Sequence, residues 1–203
     1  MKLFFDIETL PAGKESEEAI KHLYNKYRQK NGRYFKSYNE FLCSTSFDGA
    51  FGKIFCIGYA IDNDAPQALY SKNEKEILTQ FWGIAKNTKL FIGHNIIDFD
   101  LPFIFQRSVV HNVKPTRTLV GNNKEEEAVF DTYKHWTGGS SSYLKGGLDR
   151  LALAFKMQSS KTEIDGSKVY SYFLNNRHEE IVDYCKRDVE LTRKIYKKLT
   201  FQN

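Results

Sequence analysis

The sequence predicts an α/β domain in which a mixed β-sheet is flanked by helices. One indication is an apolar strand pattern at Lys2–Glu8. Another is the nearly continuous apolar run Lys53–Ile61, which is typical of a central strand covered on both faces. Segments with helical spacing of apolar residues then alternate with strand patterns over the rest of the chain.

Length and composition are those of one globular unit. The chain has 203 residues, of which 41% are hydrophobic and 27% charged, so we expect a single domain spanning 1–203. No stretch is long enough to span a membrane, and the amino-terminal apolar run is interrupted by Asp6 and Glu8. Three cysteines without a CxxC pair argue against a disulfide framework and a zinc site, so we expect a cytoplasmic location. The net charge of +5 is weak support for a polyanionic partner.

The first strand is followed by a long polar segment. We expect the chain to turn out of the sheet at Thr9–Pro11 and then to form a helix over about 16–28, where apolar residues have helical spacing. The whole of 14–46 has little continuous apolar pattern. It is therefore predicted to be an insertion between two strands.

The middle of the chain continues with alternating elements. A hairpin is predicted from 53–61 to 67–70, and a helix begins after Asn73, which forms a loose capping-box pattern with Glu76. A strand at 90–93 precedes a helix over 100–107 with Pro102 in its first turn, where the missing N–H is harmless.

Two further helices are predicted near the end of the chain. They cover 148–155 and about 179–199, and Asn176 with Glu179 is a second capping-box pattern. The glycine- and serine-rich stretch 138–147 is typical of a mobile loop.

Paired carboxylates at the end of the first strand are the strongest chemical signal. Side chains two apart on a strand lie on the same face, so Asp6 and Glu8 share one face with Phe4. Because these two carboxylates would repel each other, we expect a cation to lie between them. Mg²⁺ or Mn²⁺ is expected, because hard ions prefer carboxylate oxygen.

Two other segments supply acids at positions where local structure would let them converge. Asp100 lies where the strand at 90–93 runs into the next helix. On the final helix, Tyr184 and Asp188 are four residues apart and project from the same face.

At these residues the chain resembles the DEDD superfamily of 3′–5′ exonucleases, and within it the proofreading domains of family B DNA polymerases. Phe5–Thr9 is similar to the first motif of the family, Asn95–Asp100 to the second, and Tyr184–Asp188 to the tyrosine form of the third. The three motifs follow in the family's order, and the similarity spans residues 3 to about 196. It implies an RNase H-like fold and an exonuclease without a polymerase domain.

The resemblance also implies a site and a substrate. The two-metal-ion mechanism of the family would use two divalent cations, Mg²⁺ or Mn²⁺, held by Asp6, Glu8, Asp100 and Asp188. Tyr184 would orient the attacking water, because a phenol with a pKa of about 10 is a poor base at neutral pH. The substrate would be the 3′ end of single-stranded DNA, released as nucleoside 5′-monophosphates. Its terminal nucleotides would contact Thr9, Leu10, Asn95 and Phe99.

Alternatives remain open at several levels. An exoribonuclease of the same fold is the nearest one, since no element that senses a 2′-OH is evident, and a non-catalytic nucleic-acid-binding module is another. A separate polymerase or a repair partner is compatible with this activity, and the sequence favours neither.

Some single residues also have structural alternatives. Asp100 has the position of a helix N-cap as well as that of a metal ligand. We interpret Asp98 and Asp183 as solvated acids, Asp131 as structural, and His94 as a packing residue rather than a ligand, because imidazole is not preferred by Mg²⁺. Five basic residues between the second and third motifs form either a phosphate-facing surface or a scatter of solvated side chains: Lys145, Arg150, Lys156, Lys161 and Lys168.

Overall fold

The computed structural model describes residues 1–31, 35, 37–117, 128–139 and 146–202. Three predictions fall partly or wholly outside these residues. They concern the loop at 138–147, of which 140–145 are not described, the basic residue Lys145, and a short part of the predicted insertion.

The described residues form a five-stranded mixed sheet. Its strands are β1 (Lys2–Leu10), β2 (Lys53–Ile61), β3 (Gln67–Tyr70), β4 (Leu90–Gly93) and β5 (Ala128–Asp131), in the order β3-β2-β1-β4-β5. β1 and β2 pair antiparallel, as do β2 and β3, whereas β4 pairs parallel with both β1 and β5. β1 is therefore the central strand, and its acids lie in the middle of the sheet.

Eight α-helices flank this sheet in the described part of the chain. They are α1 (Glu17–Asn31), α2 (Tyr38–Ser44), α3 (Glu74–Ala85), α4 (Asp100–Val110), α5 (Thr132–Thr137), α6 (Leu148–Ala154), α7 (Val169–Leu174) and α8 (His178–Leu199). Short 3₁₀ helices occur at Lys14–Ser16, Thr45–Phe47 and Gly166–Lys168. The predicted insertion thus contains α1, α2 and two 3₁₀ turns. None of the described helices is both long and apolar enough to cross a bilayer.

Both faces of β1 are buried, as its alternating pattern predicts. Leu3, Phe5 and Ile7 pack into a large apolar cluster with residues of α3 and α4. Phe4 lies on the other face, where its ring contacts Tyr196 of α8 at 5.5 Å between centroids. Asp6 and Glu8 follow Phe4 on the α8 side, so this helix covers the strand face that bears the acids.

The end of β1 differs from the prediction. Thr9 and Leu10 do not turn out of the sheet but still pair with Ile54 and Lys53 of β2. A shift in the register between Glu8 and Thr9 allows the strand to continue with its twist altered at that point. The acids therefore lie before an irregularity within the strand rather than at its last residue.

The predicted capping box at Asn176 is wrong. Asn176 adopts a left-handed conformation with φ of 57°, and its N–H donates to the carbonyl of Phe173, so it ends α7 instead of starting α8. Asparagine tolerates this conformation better than most residues. The residue that precedes α8 is Arg177, whose side chain makes no capping hydrogen bond.

Candidate active site

Asp6 and Glu8 lie next to each other on the face of β1 that α8 covers. Ligand atoms of Asp6, Glu8 and Cys185 are all within 4.8 Å of one another. Glu8 is buried, and Cys185 is fully buried with its Sγ 3.7 Å from Oδ2 of Asp6. The three side chains form a compact group at the contact between β1 and α8.

Asp100 reaches the same strand from a different element. It is the first residue of α4, whose N-cap is Phe99, and no N-capping bond from a side chain is formed there. The alternative interpretation of Asp100 as an N-cap is therefore wrong. Its Oδ1 accepts a hydrogen bond from the backbone N–H of Ile7 at 3.1 Å, which places the carboxylate beside the residue between Asp6 and Glu8.

Tyr184 and Asp188 project from α8 toward the same acids. Both side chains are buried one helical turn apart, and they are close enough for each to affect the pKa of the other. The close approach of α8 to the sheet depends on Gly58 of β2, where a Cβ atom would lie 2.8 Å from Sγ of Cys185. The N–H of Gly58 donates to that sulfur at 3.2 Å.

Burial and mutual repulsion raise the pKa values of the β1 acids. Burial is the largest cause of the raised pKa of Asp6, followed by the negative charges of Asp100 and Asp188. Burial likewise raises the pKa of Glu8, and the charges of Asp6, Asp188 and Asp100 add to the effect. The four carboxylates therefore interact as one electrostatic group.

Asp100 and Asp188 are perturbed in the same direction. Burial raises the pKa of Asp100 to about 7, although the hydrogen bond from Ile7 opposes the change. Burial also raises the pKa of Asp188, while hydrogen bonds with Ser160 and Tyr184 favour its ionised form. In the described part of the chain, Asp6, Glu8 and Asp100 form no ion pair with a basic side chain. Four carboxylates held together in this way fit the oxygen ligand set of hard divalent cations.

The phenol of Tyr184 stays neutral in this environment. Burial is the main cause of its raised pKa, and the negative charges of Asp188, Glu8 and Asp6 raise it further. A phenol with such a pKa can donate a hydrogen bond or accept one but cannot act as a base near neutral pH.

The residues predicted to contact substrate have varied surroundings. Thr9 is half-buried and its hydroxyl donates to the carbonyl of Ser46 at 2.7 Å, whereas Leu10 is buried in an apolar cluster that includes Tyr184. Leu10 also lines an open cavity of about 590 Å³. Asn95 has φ of 64° and is half-buried, and the half-buried Phe99 packs against Phe103.

Asp131 has a structural role in this site, as interpreted from the sequence, but its partners could not be predicted. It is buried at the N-cap of α5, and its carboxylate accepts hydrogen bonds from the backbone N–H groups of Tyr133 and Lys134. The same carboxylate accepts from Asn95 at 2.9 Å and from Ile97 at 3.0 Å. The structural interpretation of Asp131 is therefore confirmed, and its bonds fix the turn that leads to Asp100. In the sequence, Asp131 is recognisable only as an aspartate that follows a strand-like run. That pattern does not show which backbone N–H groups its carboxylate binds.

The other acids and the histidine agree with their interpretations. Asp98 is exposed and pairs with Lys134 at 2.5 Å, and Asp183 is exposed and pairs with Lys186 at 2.6 Å. His94 contacts Thr132 at 2.9 Å through Nδ1, and burial lowers its pKa to about 4. It is a packing residue in this structure.

The basic residues between the second and third motifs have different surroundings where the structure describes them. The positive charge of Lys161 helps to lower the pKa of Asp188, so Lys161 lies near the acids. Lys168 instead donates to the carbonyl of Glu163, and Arg150 is exposed.

Comparison with protein families gives one match. The sequence model of a family described as "Predicted 3′-5′ exonuclease related to the exonuclease domain of PolB" matches residues 63–202, which is more than half of the chain. The matched range includes Asp100, Tyr184 and Asp188. Asp6 and Glu8 precede it.

Comparison with solved structures supports the fold. The family B DNA polymerase from the hyperthermophilic archaeon Pyrobaculum calidifontis is similar with a TM-score of 0.68 and 18% identity over 98% of this chain. The chain corresponds to only 24% of the length of that polymerase. This similarity confirms the predicted RNase H-like mixed sheet flanked by helices. The comparison with curated proteins gives no match.

Proposed function

Because the chain belongs to the family of predicted 3′–5′ exonucleases related to the exonuclease domain of PolB, we propose that it is a metal-dependent exonuclease. It hydrolyses phosphodiester bonds at the 3′ end of single-stranded DNA and releases nucleoside 5′-monophosphates. The observation that carries this proposal is the convergence of Asp6, Glu8, Asp100 and Asp188, from three separate elements, in one group of interacting carboxylates. The activity is assigned to residues 1–203 as one domain, with 14–46 as an insertion.

The four carboxylates would hold two divalent cations, Mg²⁺ or Mn²⁺. Burial raises the pKa values of all four acids, and the charges of the neighbouring acids add to the effect at Asp6 and Glu8; bound cations would oppose this by stabilising the ionised forms. When bound, such ions lower the pKa of water and stabilise the charge that develops on the leaving 3′ oxygen. Asp6 would be the central member of this ligand set, because its carboxylate interacts electrostatically with those of Glu8, Asp100 and Asp188.

Tyr184 would position the attacking water by hydrogen bonding, as in the tyrosine subfamily of DEDD exonucleases. Its phenol lies beside Asp188 and is neutral at physiological pH, because burial and the neighbouring acids raise its pKa. The ring packs in the apolar cluster that contains Leu10, which holds the hydroxyl in place. Tyr184 is therefore assigned an orienting role, and it does not remove the proton.

The terminal nucleotides would lie along the two motifs that flank the acids. Asn95 and Phe99 belong to the turn before Asp100, and Thr9 and Leu10 follow Glu8 on β1. Lys161, whose charge influences Asp188 and whose Nζ lies 4.0 Å from Oδ2 of Asp149, would help to offset the charge of a substrate phosphate.

The test uses single-stranded oligonucleotides labelled at either end, in Mg²⁺ and in Mn²⁺. We expect a 5′-labelled strand to shorten stepwise from its 3′ end, and a 3′-labelled strand to release labelled mononucleotide at once. A blocked 3′ end should protect the strand, and a blocked 5′ end should not. Equal protection by both blocks would contradict the polarity.

Matched variants connect the activity to the site. Asp6→Ala and Asp188→Ala should abolish degradation while leaving the fold intact. Asp183→Ala is the control for Asp188→Ala, because Asp183 is an exposed acid of the same helix. Full activity in either site variant would overturn the assignment.

DNA and RNA strands of the same sequence assayed side by side decide the substrate. Faster degradation of RNA would indicate the exoribonuclease alternative. Binding of both strands without any degradation would indicate a non-catalytic module.

A further inference from the structure

Phe47 is an exposed aromatic ring that the site described above does not use. It ends the 3₁₀ helix Thr45–Phe47, directly after the predicted insertion and before β2, and 75% of its surface is exposed. Single exposed apolar residues are common on protein surfaces, so exposure alone says little. Two further observations, a fixed backbone and a position next to the acids, indicate a role for this exposed ring.

The backbone that carries Phe47 is held firmly from several sides. The hydroxyl of Thr9 donates to the carbonyl of Ser46 at 2.7 Å, and the N–H of Ala12 donates to Oγ1 of Thr45 at 2.8 Å. The N–H of Asp48 donates to the carbonyl of Thr45 at 3.0 Å. An ordered backbone therefore holds this ring at the surface. The protein would lose little conformational entropy when a ligand stacks on the ring.

The same contacts place the ring beside the candidate active site. Ser46 is bonded to Thr9, which directly follows Glu8. The ring of Phe47 lies 6.0 Å from the ring of Phe99, which directly precedes Asp100. Phe47 is thus connected to both of the motifs that supply the β1 and α4 acids.

Together with the half-buried Phe99, Phe47 forms an aromatic surface at the rim of this site, and Ile97 adds an exposed apolar side chain to the same turn. We propose that Phe47 stacks on a nucleobase of the single-stranded substrate close to its 3′ end, so that the segment between the predicted insertion and β2 takes part in substrate binding. This inference rests on the proposed exonuclease function.

Stacking suits a substrate that is held without regard to its sequence. Every base has a π-face, so an aromatic ring contributes to the binding of any single strand. A base paired within a duplex does not offer its face in this way. The ring would therefore favour single strands over duplex ends.

The experiment compares the wild-type protein with Phe47→Ala and Phe47→Trp on single-stranded oligonucleotides. We expect Phe47→Ala to raise KM by about 5- to 100-fold, the range that one base–aromatic stack supports, with a smaller change in kcat. Phe47→Trp should restore KM. Phe201→Ala is the matched control, because Phe201 is also an exposed ring, at 94% of its surface, but lies away from the acids. Its neighbour Gln202 contacts Lys2, at the opposite end of β1 from Leu10.

A substrate with one missing base identifies the contact itself. An abasic nucleotide is placed in turn at each of the last few positions, and at the stacked position wild-type and Phe47→Ala proteins should have equal KM values. An unchanged KM for Phe47→Ala on the intact strand, or an equal loss at every abasic position, would overturn the proposal.

Anisotropy with a fluorescent single strand in EDTA separates this inference from the proposed function. A wild-type protein that degrades no strand would contradict the exonuclease assignment, and the Kd values alone would then decide the role of Phe47. A Kd for Phe47→Ala equal to that of the wild type and of Phe201→Ala would exclude stacking. Thermal unfolding should show both alanine variants to be as stable as the wild type, since both rings are exposed.

Discussion

The carboxylate of Asp100 accepts a hydrogen bond from the backbone N–H of Ile7 at 3.1 Å across 93 residues of sequence. Ile7 lies between Asp6 and Glu8, so this bond brings the start of α4 to the centre of the acid group. The bond favours the ionised form of Asp100, yet burial dominates and raises its pKa to about 7. In the metal-free protein, an ionised Asp100 carboxylate therefore destabilises this point of the fold.

Asp100→Asn should make the metal-free protein more stable at alkaline pH. The folded state keeps a proton on Asp100 up to about pH 7, whereas the unfolded chain loses it near pH 3.8, so the free energy of unfolding falls as pH rises between these values. Asparagine stays neutral and retains an oxygen for the Ile7 N–H. In EDTA at pH 8 we expect a gain on the order of a few kcal/mol, because one pKa unit corresponds to about 1.4 kcal/mol.

Urea denaturation at pH 5 and pH 8 measures this effect. The advantage of Asp100→Asn over the wild type should shrink toward pH 5, where the wild-type carboxyl is already protonated. Asp183→Asn, at an exposed position, should show no such pH dependence. An equal difference between Asp100→Asn and wild type at both pH values would contradict the burial of this charge. Mg²⁺ at pH 8 should stabilise the wild type more than the variant.

Asp131→Ala should weaken both the fold and the activity without abolishing the latter. The carboxylate accepts four backbone N–H groups, two of them in the turn that contains Asn95 and Ile97. Loss of these acceptors in a buried place should cost about 2–4 kcal/mol of unfolding free energy. Because this turn positions Asp100, we expect kcat to fall by a larger factor than the factor by which KM changes.

Asp98→Ala provides the matched control for Asp131→Ala. Asp98 lies in the same turn but is exposed, and its partner is the surface residue Lys134. Its removal should change the unfolding free energy by less than about 1 kcal/mol and leave kcat within a few-fold of the wild type. A larger loss of activity for Asp98→Ala than for Asp131→Ala would reverse the roles assigned to the two acids.

Tyr184→Phe should reduce kcat by about 10- to 100-fold, the value of one or two hydrogen bonds that orient water. The pKa of Tyr184 is raised well above its ordinary value of 10.0, so the phenol does not titrate in the assay range. The ratio of wild-type to variant kcat should therefore be constant from about pH 7 to about pH 10. A ratio that rises with pH over this interval would show that the phenol acts as a base.

Local periodicity explains why part of the site could be predicted from the sequence. Residues two apart on a strand or four apart on a helix share a face whatever the rest of the chain does, so the pairing of Asp6 with Glu8 and of Tyr184 with Asp188 followed directly. The alternation in β1 also predicted which of its side chains share a face, but not which helices cover each face.

Contacts between distant segments could not be predicted in this way. The bonds of Asp100 to Ile7 and of Asp131 to Asn95 depend on how β4 and β5 align with β1, and no short-range pattern encodes that alignment. Helices such as α5, with only six residues, are too short for apolar periodicity to mark them. At Asn176 the pattern was ambiguous, because asparagine serves both as an N-cap and as a left-handed residue that ends a helix.

Cys43 should be the one thiol of the native protein that reacts quickly with a thiol reagent. Cys43 is half-buried on α2, whereas Cys56 and Cys185 are fully buried. Burial also raises the pKa of Cys185, which keeps its thiol in the unreactive protonated form beside Asp6. Titration with a colorimetric disulfide reagent should give one fast equivalent, and the other two only after unfolding.

Cys43→Ser should remove the fast equivalent and leave the nuclease activity unchanged, because Cys43 belongs to the insertion and contributes no ligand to the acid group. Modification of wild-type Cys43 should likewise leave kcat unchanged. Fast modification of Cys185, with loss of activity, would mean that the contact between β1 and α8 opens in solution and that the acids are less enclosed than this structure shows.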